Sequence, residues 1–120
     1  KEITHVMVYN ATKIADQMAA QFIVVATQGG LTACGLSKQR GSVPILGISD
    51  SQSTLQQMCL FWGVTPLPGI TGTESVHLLK AIEDWATQLG RLTSGQRVVL
   101  VGSTNWSIRG HNVLIIHEVS

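Results

Sequence analysis

Apolar side chains in the first twenty residues recur at three- and four-residue steps: Ile3, Val6, Met7, Ala11, Ile14, Ala15, Met18 and Ala19. That period predicts an amphipathic helix over 3–20, about four to five turns long. The pattern then changes. Residues 22–27, Phe-Ile-Val-Val-Ala-Thr, form a short unbroken apolar run rich in β-branched residues, which suits a strand covered on both faces. Two glycines follow, and 31–37 reads as a short helix. Residues 44–49 form a second buried strand. Pro44 is tolerated there because the start of a strand need not donate a ladder hydrogen bond.

"SDSQSTLQQMCLFWG" supplies polar cap candidates, a helix, and a stop at Gly63. "VTPLPG" predicts a short third strand, which its two prolines push to a sheet edge. Residues 71–92 read as a long helix. Thr73, Glu74 and Ser75 open it, and Val76, Leu79, Ile82, Trp85, Ala86 and Leu89 form its apolar face. Glu74 near its start suits the helix dipole. After the turn "SGQ", Arg97–Val101 is another buried strand. A loop from Gly102 to about His111 leads to a last strand, Val113–Val119.

Strands alternating with helices imply right-handed crossovers and a largely parallel sheet. The last two strands are joined by only about ten residues with no helix, too few for a usual parallel crossover, so the last strand is expected to run antiparallel. The expectation is one α/β domain, residues 1–120, with helices layered on both faces of the sheet.

Charge modifies this picture. Charged residues make up 12% of the 120 residues and the net charge is +1, against about 25% charged in an average soluble domain. So charge-poor a chain is expected to hide part of its surface, inside a larger protein, an oligomer, or both. The absence of a basic stripe argues against a nucleic-acid binder. The 44% hydrophobic content excludes disorder as the main state. No apolar run approaches the roughly 20 residues of a bilayer span. The start, "KEITHVMVYN", carries no leader pattern, and its first residue, Lys1, suggests a fragment. Cys34 and Cys59 lie in apolar stretches and are expected to be buried free thiols in a reducing, cytoplasmic compartment.

Two loops carry the candidate chemistry. "ATQGGLT" follows the first strand. Glycines let a backbone approach a ligand, a helix start attracts phosphate, and Thr27 and Thr32 offer hydroxyls. The same residues also fit a plain strand-to-helix turn with Thr as a cap, and the loop alone leaves both readings open. "GSTNWSIRGHN" also follows a strand. It holds Ser103, Thr104, Asn105 and Ser107, the flat face of Trp106, and Arg109, whose guanidinium suits a phosphate. His111 reads as an assisting or a solvated loop residue. His5, His77, His111 and His117 show no metal-ligand spacing. Lys38 and Arg40 read as phosphate-attracting, as salt-bridging, or as a solvated helix end. Trp62 and Trp85 lie on apolar helical faces and are expected in the core or at a domain contact. No nucleophile triad or carboxylate pair stands out.

At this point the chain resembles a known family, the C-terminal domain of pyruvate kinase, over nearly its whole length. The leading helix with "NATKIADQMAA", the segment "FIVVATQGGLTACGLSKQRGSVPILGIS", "LFWGVTPL" and "LTSGQRVVLVGS" follow the family pattern in order and at similar spacing. The resemblance implies a three-layer α/β/α fold with a five-stranded mixed sheet, order 3-2-1-4-5, the last strand antiparallel. It implies no catalytic residue and no cofactor in this domain. In the family, phosphate moves from phosphoenolpyruvate to ADP in a separate (β/α)₈ barrel that uses Mg²⁺ and K⁺. The domain's implied partners are the rest of that chain and like subunits of a tetramer. Its implied ligand is a sugar phosphate or nucleotide effector, often fructose 1,6-bisphosphate. By that resemblance Thr27, Gln28, Gly29, Gly30 and Thr32 match the phosphate loop. Ser103, Thr104, Trp106, Arg109 and Gly110 match a closing loop.

Three departures stand out. Gly29 occupies a position where the family usually has Ser, which removes one hydroxyl donor. Gly41 stands where Pro is usual. The closing loop keeps only Asn112 of the family's ending. Two other readings stay open: a pure oligomerisation module, and a free-standing small protein or enzyme that handles phosphosugars.

Overall fold

The computed structural model describes residues 3–27, 29–69, 75–102 and 113–119. Five strands form one sheet: β1 (Phe22–Ala26), β2 (Ile45–Ser49), β3 (Val64–Pro68), β4 (Arg97–Gly102) and β5 (Val113–Glu118). Four helices connect or precede them: α1 (Ile3–Gln17), α2 (Leu31–Lys38), α3 (Gln52–Met58) and α4 (Ser75–Gln88). The strand order is β3-β2-β1-β4-β5. The first three pairings are parallel, with Val24 beside Leu46 and Leu100, and β4 pairs antiparallel with β5. Parallel sheet and reversed last strand are those the sequence pattern predicts, and the order is the one the resemblance implies.

Side chains on a strand alternate between faces, and the core divides accordingly. On one face Phe22, Val24, Leu46, Ile48, Val98 and Leu100 pack against Ile82 and Ala86 of α4. On the other, Ile23, Val25, Ile45, Val99 and Val101 meet Val8, Ala11 and Ala15 of α1, Leu36 of α2 and Met58 of α3. The result is three layers, with α4 on one face and α1, α2 and α3 on the other. All five residues of β1 and of β2 are buried, which is why both read as unbroken apolar runs. Each buried Val, Leu or Ile contributes about 1.5–3 kcal/mol relative to exposure.

β3 is a full strand despite its prolines. Parallel strands present their N–H groups to alternate sides, and Gly69 N–H donates to Ser49 O at 3.1 Å. Odd positions therefore face β2, and the missing donors of Pro66 and Pro68 fall on the open edge, where no ladder bond is lost.

Several elements end earlier than their periodicity predicts. α1 stops at Gln17 because Ala19 turns left-handed, at φ 52°. Ala20 N–H then bonds Ala15 O at 3.0 Å and Ala19 N–H bonds Asp16 O at 3.3 Å, the paired closure of a Schellman end. α4 closes in the same way at Gly90, with Arg91 N–H on Ala86 O at 2.8 Å. α3 gives way to tight turns, as Leu60 and Phe61 N–H groups reach back three residues to Gln57 O and Met58 O. The start of the predicted 71–92 helix, through Glu74, lies outside the described residues.

Two expectations about individual side chains are corrected. Cys34 is half-buried and Cys59 is exposed, and both are free. Cys59 follows the last turn of α3, beyond the part that reaches the core. Trp62 is half exposed and so lies outside the core, because Phe61, beside it, takes the inward position; of the two places expected for it, this leaves the domain contact. Trp85 packs against the core on the α4 side as expected.

Candidate functional site

The order β3-β2-β1-β4-β5 places a switch point between β1 and β4. From β1 the chain builds outward through β2 and β3 on one side, then returns to build β4 and β5 on the other. In open α/β sheets ligands bind beyond the carboxyl ends of strands at such a point. β1 and β4 run parallel, with Val25 beside Val101. Their carboxyl ends therefore open side by side on one edge of the sheet.

The turn after β1 is built by its own residues. Thr27 is buried, and its backbone N–H donates to Ile48 O at 2.8 Å. Its Oγ1 accepts the Gly30 N–H at 2.9 Å. One lone pair is thus used to fix the turn, while a hydroxyl keeps its single proton to donate. Gly30 is the N-cap of α2 at φ 83° and ψ 0° and makes no side-chain cap bond. The left-handed φ favours glycine. Packing also favours it: a Cβ here would sit 3.4 Å from Thr54 Cγ2 and 3.8 Å from Phe61 Cε2. α3 therefore packs directly behind the turn and holds it in shape.

The ladder of α2 begins with Cys34 N–H on Gly30 O at 2.9 Å. N–H groups of a helix's first turn have no partner within the helix, and that end carries partial positive charge. With no side-chain oxygen at the cap, an anion can take that role. Thr32 is buried in this first turn. Gly29 is exposed, and a Cβ there would meet nothing within 4 Å. The missing hydroxyl at position 29 is therefore not forced by crowding.

Of the sequence-predicted site residues, Thr27, Gly29, Gly30 and Thr32 are brought together at the carboxyl end of β1. Gln28, Ser103, Thr104, Trp106, Arg109 and Gly110 lie outside the described residues, as do Asn105, Ser107, His111 and Asn112. Lys38 and Arg40 stand at the far end of α2. Arg40 stacks over Trp62, its guanidinium carbon 4.8 Å from the ring centre.

The structure adds a second turn at the same edge that the sequence reading passed over. Ser49 ends β2 fully buried, and its Oγ accepts the Ser51 N–H at 3.1 Å. Ser51 in turn caps α3 by accepting Thr54 N–H at 3.4 Å. The available signal was a serine at the end of a buried strand two residues before a cap. Among the described residues no three His, Cys, Asp or Glu side chains come together as a metal site. Nor is any helix among them long and apolar enough to cross a membrane.

Comparison with known proteins agrees with this architecture. The family described as pyruvate kinase, alpha/beta domain, matches residues 5–117. The pyruvate kinase of Clostridium acetobutylicum is 26% identical over 110 residues, which is 92% of this chain and 23% of that protein. The pyruvate kinase of Staphylococcus haemolyticus is 30% identical over 98 residues, 81% of this chain and 17% of that one. In the crystal structure of a pyruvate kinase from Cryptosporidium parvum, a region covering 100% of this chain and 23% of that chain superposes with a TM-score of 0.87 at 18% identity. The chain thus spans about a quarter or less of the length of these relatives. With the family match over nearly all its residues and the same fold, the chain belongs to the pyruvate kinase alpha/beta domain family.

Proposed function

We propose that this domain is the regulatory and subunit-assembly part of a cytoplasmic pyruvate kinase, and that it binds a phosphate-bearing effector in the crevice between β1 and β4. The observation that carries the reading is the switch point, where the glycine turn at Thr27–Gly30 and the end of β4 lie side by side. Backbone N–H groups at the start of α2 and the Thr27 hydroxyl would hold one phosphate. Arg109 and its neighbours, on the loop leaving β4, would close over it. Such an effector changes activity only through its different affinity for two subunit arrangements. Transfer of phosphate from phosphoenolpyruvate to ADP, with its Mg²⁺ and K⁺, belongs in this reading to a barrel outside these residues.

Calorimetric titration with fructose 1,6-bisphosphate, other sugar phosphates and AMP tests the proposal. The expected outcome is saturable heat for at least one ligand. Arg109→Ala and Thr32→Ala each weaken it by roughly tenfold or more, since a hydrogen bond to a charged group is worth about 1.5–3 kcal/mol. Heat absent for every ligand would leave the second reading, an assembly module without an effector. Gly29, which lacks the family's hydroxyl, favours that alternative.

A further inference from the structure

One charged residue stands beside the crevice and has no part in holding a phosphate. Asp50 lies exposed where β2 ends, and it is the sole Lys, Arg, Asp or Glu between Arg40 and Glu74. Its strand runs next to β1. Ala26 pairs with Ile48, and Thr27 N–H donates to Ile48 O at 2.8 Å. Adjacent strands lie about 4.8 Å apart, so the turn at Thr27–Gly30 and the turn at Asp50 are separated by about the width of a sugar ring.

The backbone at Asp50 is held in place. Ser49 Oγ accepts the Ser51 N–H at 3.1 Å, a bond that spans Asp50 alone. Ser51 caps α3 through the Thr54 N–H at 3.4 Å. Thr54 packs on Gly30, where an added Cβ would lie 3.4 Å from Thr54 Cγ2. The two turns are thus packed together as one unit.

Chemistry narrows what this pair of turns can hold. A carboxylate beside a phosphate-binding turn repels bare phosphate. It becomes favourable when the ligand brings hydroxyl groups to it. An ionised carboxylate only accepts, through two oxygens with about four lone-pair sites, and hydrogen bonds to it are charge-assisted. Two neighbouring hydroxyls on one ring can donate to both oxygens. Dinucleotide-binding βαβ units use this placement. A glycine turn after one strand takes the phosphate, and an acidic residue about 20 positions later takes the ribose 2′-hydroxyl. Asp50 follows Gly30 by 20 residues, across one helix and one parallel strand. The turn here has two glycines where that fingerprint has three, so the parallel is one of position and not of motif.

We infer that Asp50 is a specificity-determining residue of the effector site, accepting hydrogen bonds from the 2- and 3-hydroxyls of a ribose whose 5-phosphate sits on the Thr27–Gly30 turn. The inference rests on the reading of this crevice as a phosphate site. The ribose 5-phosphate unit is common to the free sugar phosphate and to 5′-ribonucleotides. A purely structural Asp50, set just before α3 to favour the positive end of that helix, would alter stability and leave ligand choice untouched.

Titration calorimetry of the 120-residue chain with ribose 5-phosphate, AMP, the 2-deoxy form of each, and inorganic phosphate separates these roles. The wild type is expected to bind at least one ribo ligand about tenfold or more tightly than its deoxy form, as for a lost hydrogen bond to a charged group. Which pair discriminates tells the free sugar from the nucleotide. Asp50→Ala is expected to bring ribo and deoxy forms within about twofold of each other, with inorganic phosphate bound equally or more tightly because a like charge is gone. Asp50→Asn, which keeps one acceptor oxygen, retains part of the preference. Asp50 is exposed, and an unchanged far-UV circular dichroism spectrum verifies the fold of both variants. Equal affinity for ribo and deoxy forms overturns the inference, as does a preference that survives Asp50→Ala. Binding of inorganic phosphate or fructose 1,6-bisphosphate without any ribo preference sinks the role of Asp50 alone and keeps the phosphate site. Absence of binding by every phosphate ligand sinks both.

Discussion

At the scale of single residues, Thr27 shows how one side chain shapes the turn after β1. Thr27 holds the Gly30 N–H through its hydroxyl at 2.9 Å. Replacing it by the near-isosteric valine leaves a buried donor without its partner, which costs about 1–3 kcal/mol. Thr27→Val is expected to lower the unfolding free energy by that amount, read as a lower urea midpoint with an unchanged denaturant slope. Thr27→Ser, which keeps the oxygen and loses one methyl, is expected to cost less. Gly41 illustrates a different constraint. Its φ is not left-handed, yet a Cβ there would lie 2.7 Å from Thr12 Cγ2. The Thr12 hydroxyl donates to Val8 O at 3.1 Å, so the side chain is anchored and its methyl cannot swing aside freely. Glycine at 41, where the family usually has proline, is thus matched to threonine at 12. Gly41→Ala is expected to cost about 1–3 kcal/mol by overpacking. Thr12→Ser, which deletes the methyl and keeps the hydrogen bond, should recover most of it. A double-mutant cycle measured by urea unfolding reads the coupling, and a coupling near zero would refute the pairing.

At the scale of elements, the patterns that could be read were those set by burial. β1 and β2 are buried along their whole length, and a mostly apolar run fills such positions, with Ser49 admitted at the end of β2 because its hydroxyl is hydrogen-bonded. α4 shows a clear apolar stripe because a single face meets the core. What could not be read were ends decided by backbone geometry. Ala19 and Arg40 both take φ 52°, a region where glycine is the usual sign, so neither marks a helix end in the sequence. Gly90 did give that sign, but apolar Leu92 beyond it extended the apparent period. Leu92 is in fact buried from the turn after the helix. The glycine turn was legible, and its place beside β4 followed from the strand order that the resemblance implied. The packing of α3 behind that turn was not, since it depends on contacts from Thr54 and Phe61 to Gly30 that no local spacing encodes. The α3 start is a further test. Ser51 is its N-cap, at φ −97° and ψ 120°, and its Oγ lies 3.4 Å from Thr54 N. Ser51→Ala should lower stability by about 0.5–2 kcal/mol, and Ser51→Asp should retain it, with urea midpoints as the readout. Because α3 backs the β1–α2 turn, the alanine variant is also expected to weaken phosphate binding, whereas a cap with purely local effect would leave it unchanged.

For the whole molecule, the sheet order does most to constrain function. One reversal between β1 and β4 brings a turn from early in the chain beside a strand end from late in it, at one edge of a single sheet. A ligand bridging those segments adds a contact between parts of the chain that the sheet already joins, so it must stabilise the folded domain as a unit. At a concentration one hundred times its dissociation constant, a ligand that binds only the folded state adds about 2.7 kcal/mol. For a chain of 120 residues this corresponds to a rise in Tm of roughly 10 °C. The expected outcome is a rise of that size with a sugar bisphosphate, a smaller one with inorganic phosphate, and none with chloride at equal ionic strength. Gly29→Ser should enlarge the shift at fixed ligand concentration, because the position is sterically open and a new hydrogen bond to a charged group is worth about 1.5–3 kcal/mol. The substitution itself should move the ligand-free Tm little, since it touches nothing. If Gly29→Ser raised Tm equally with and without ligand, the gain would lie in the unfolded chain's lost freedom and not in a phosphate contact. The turn at β1 would then stand as a structural feature alone.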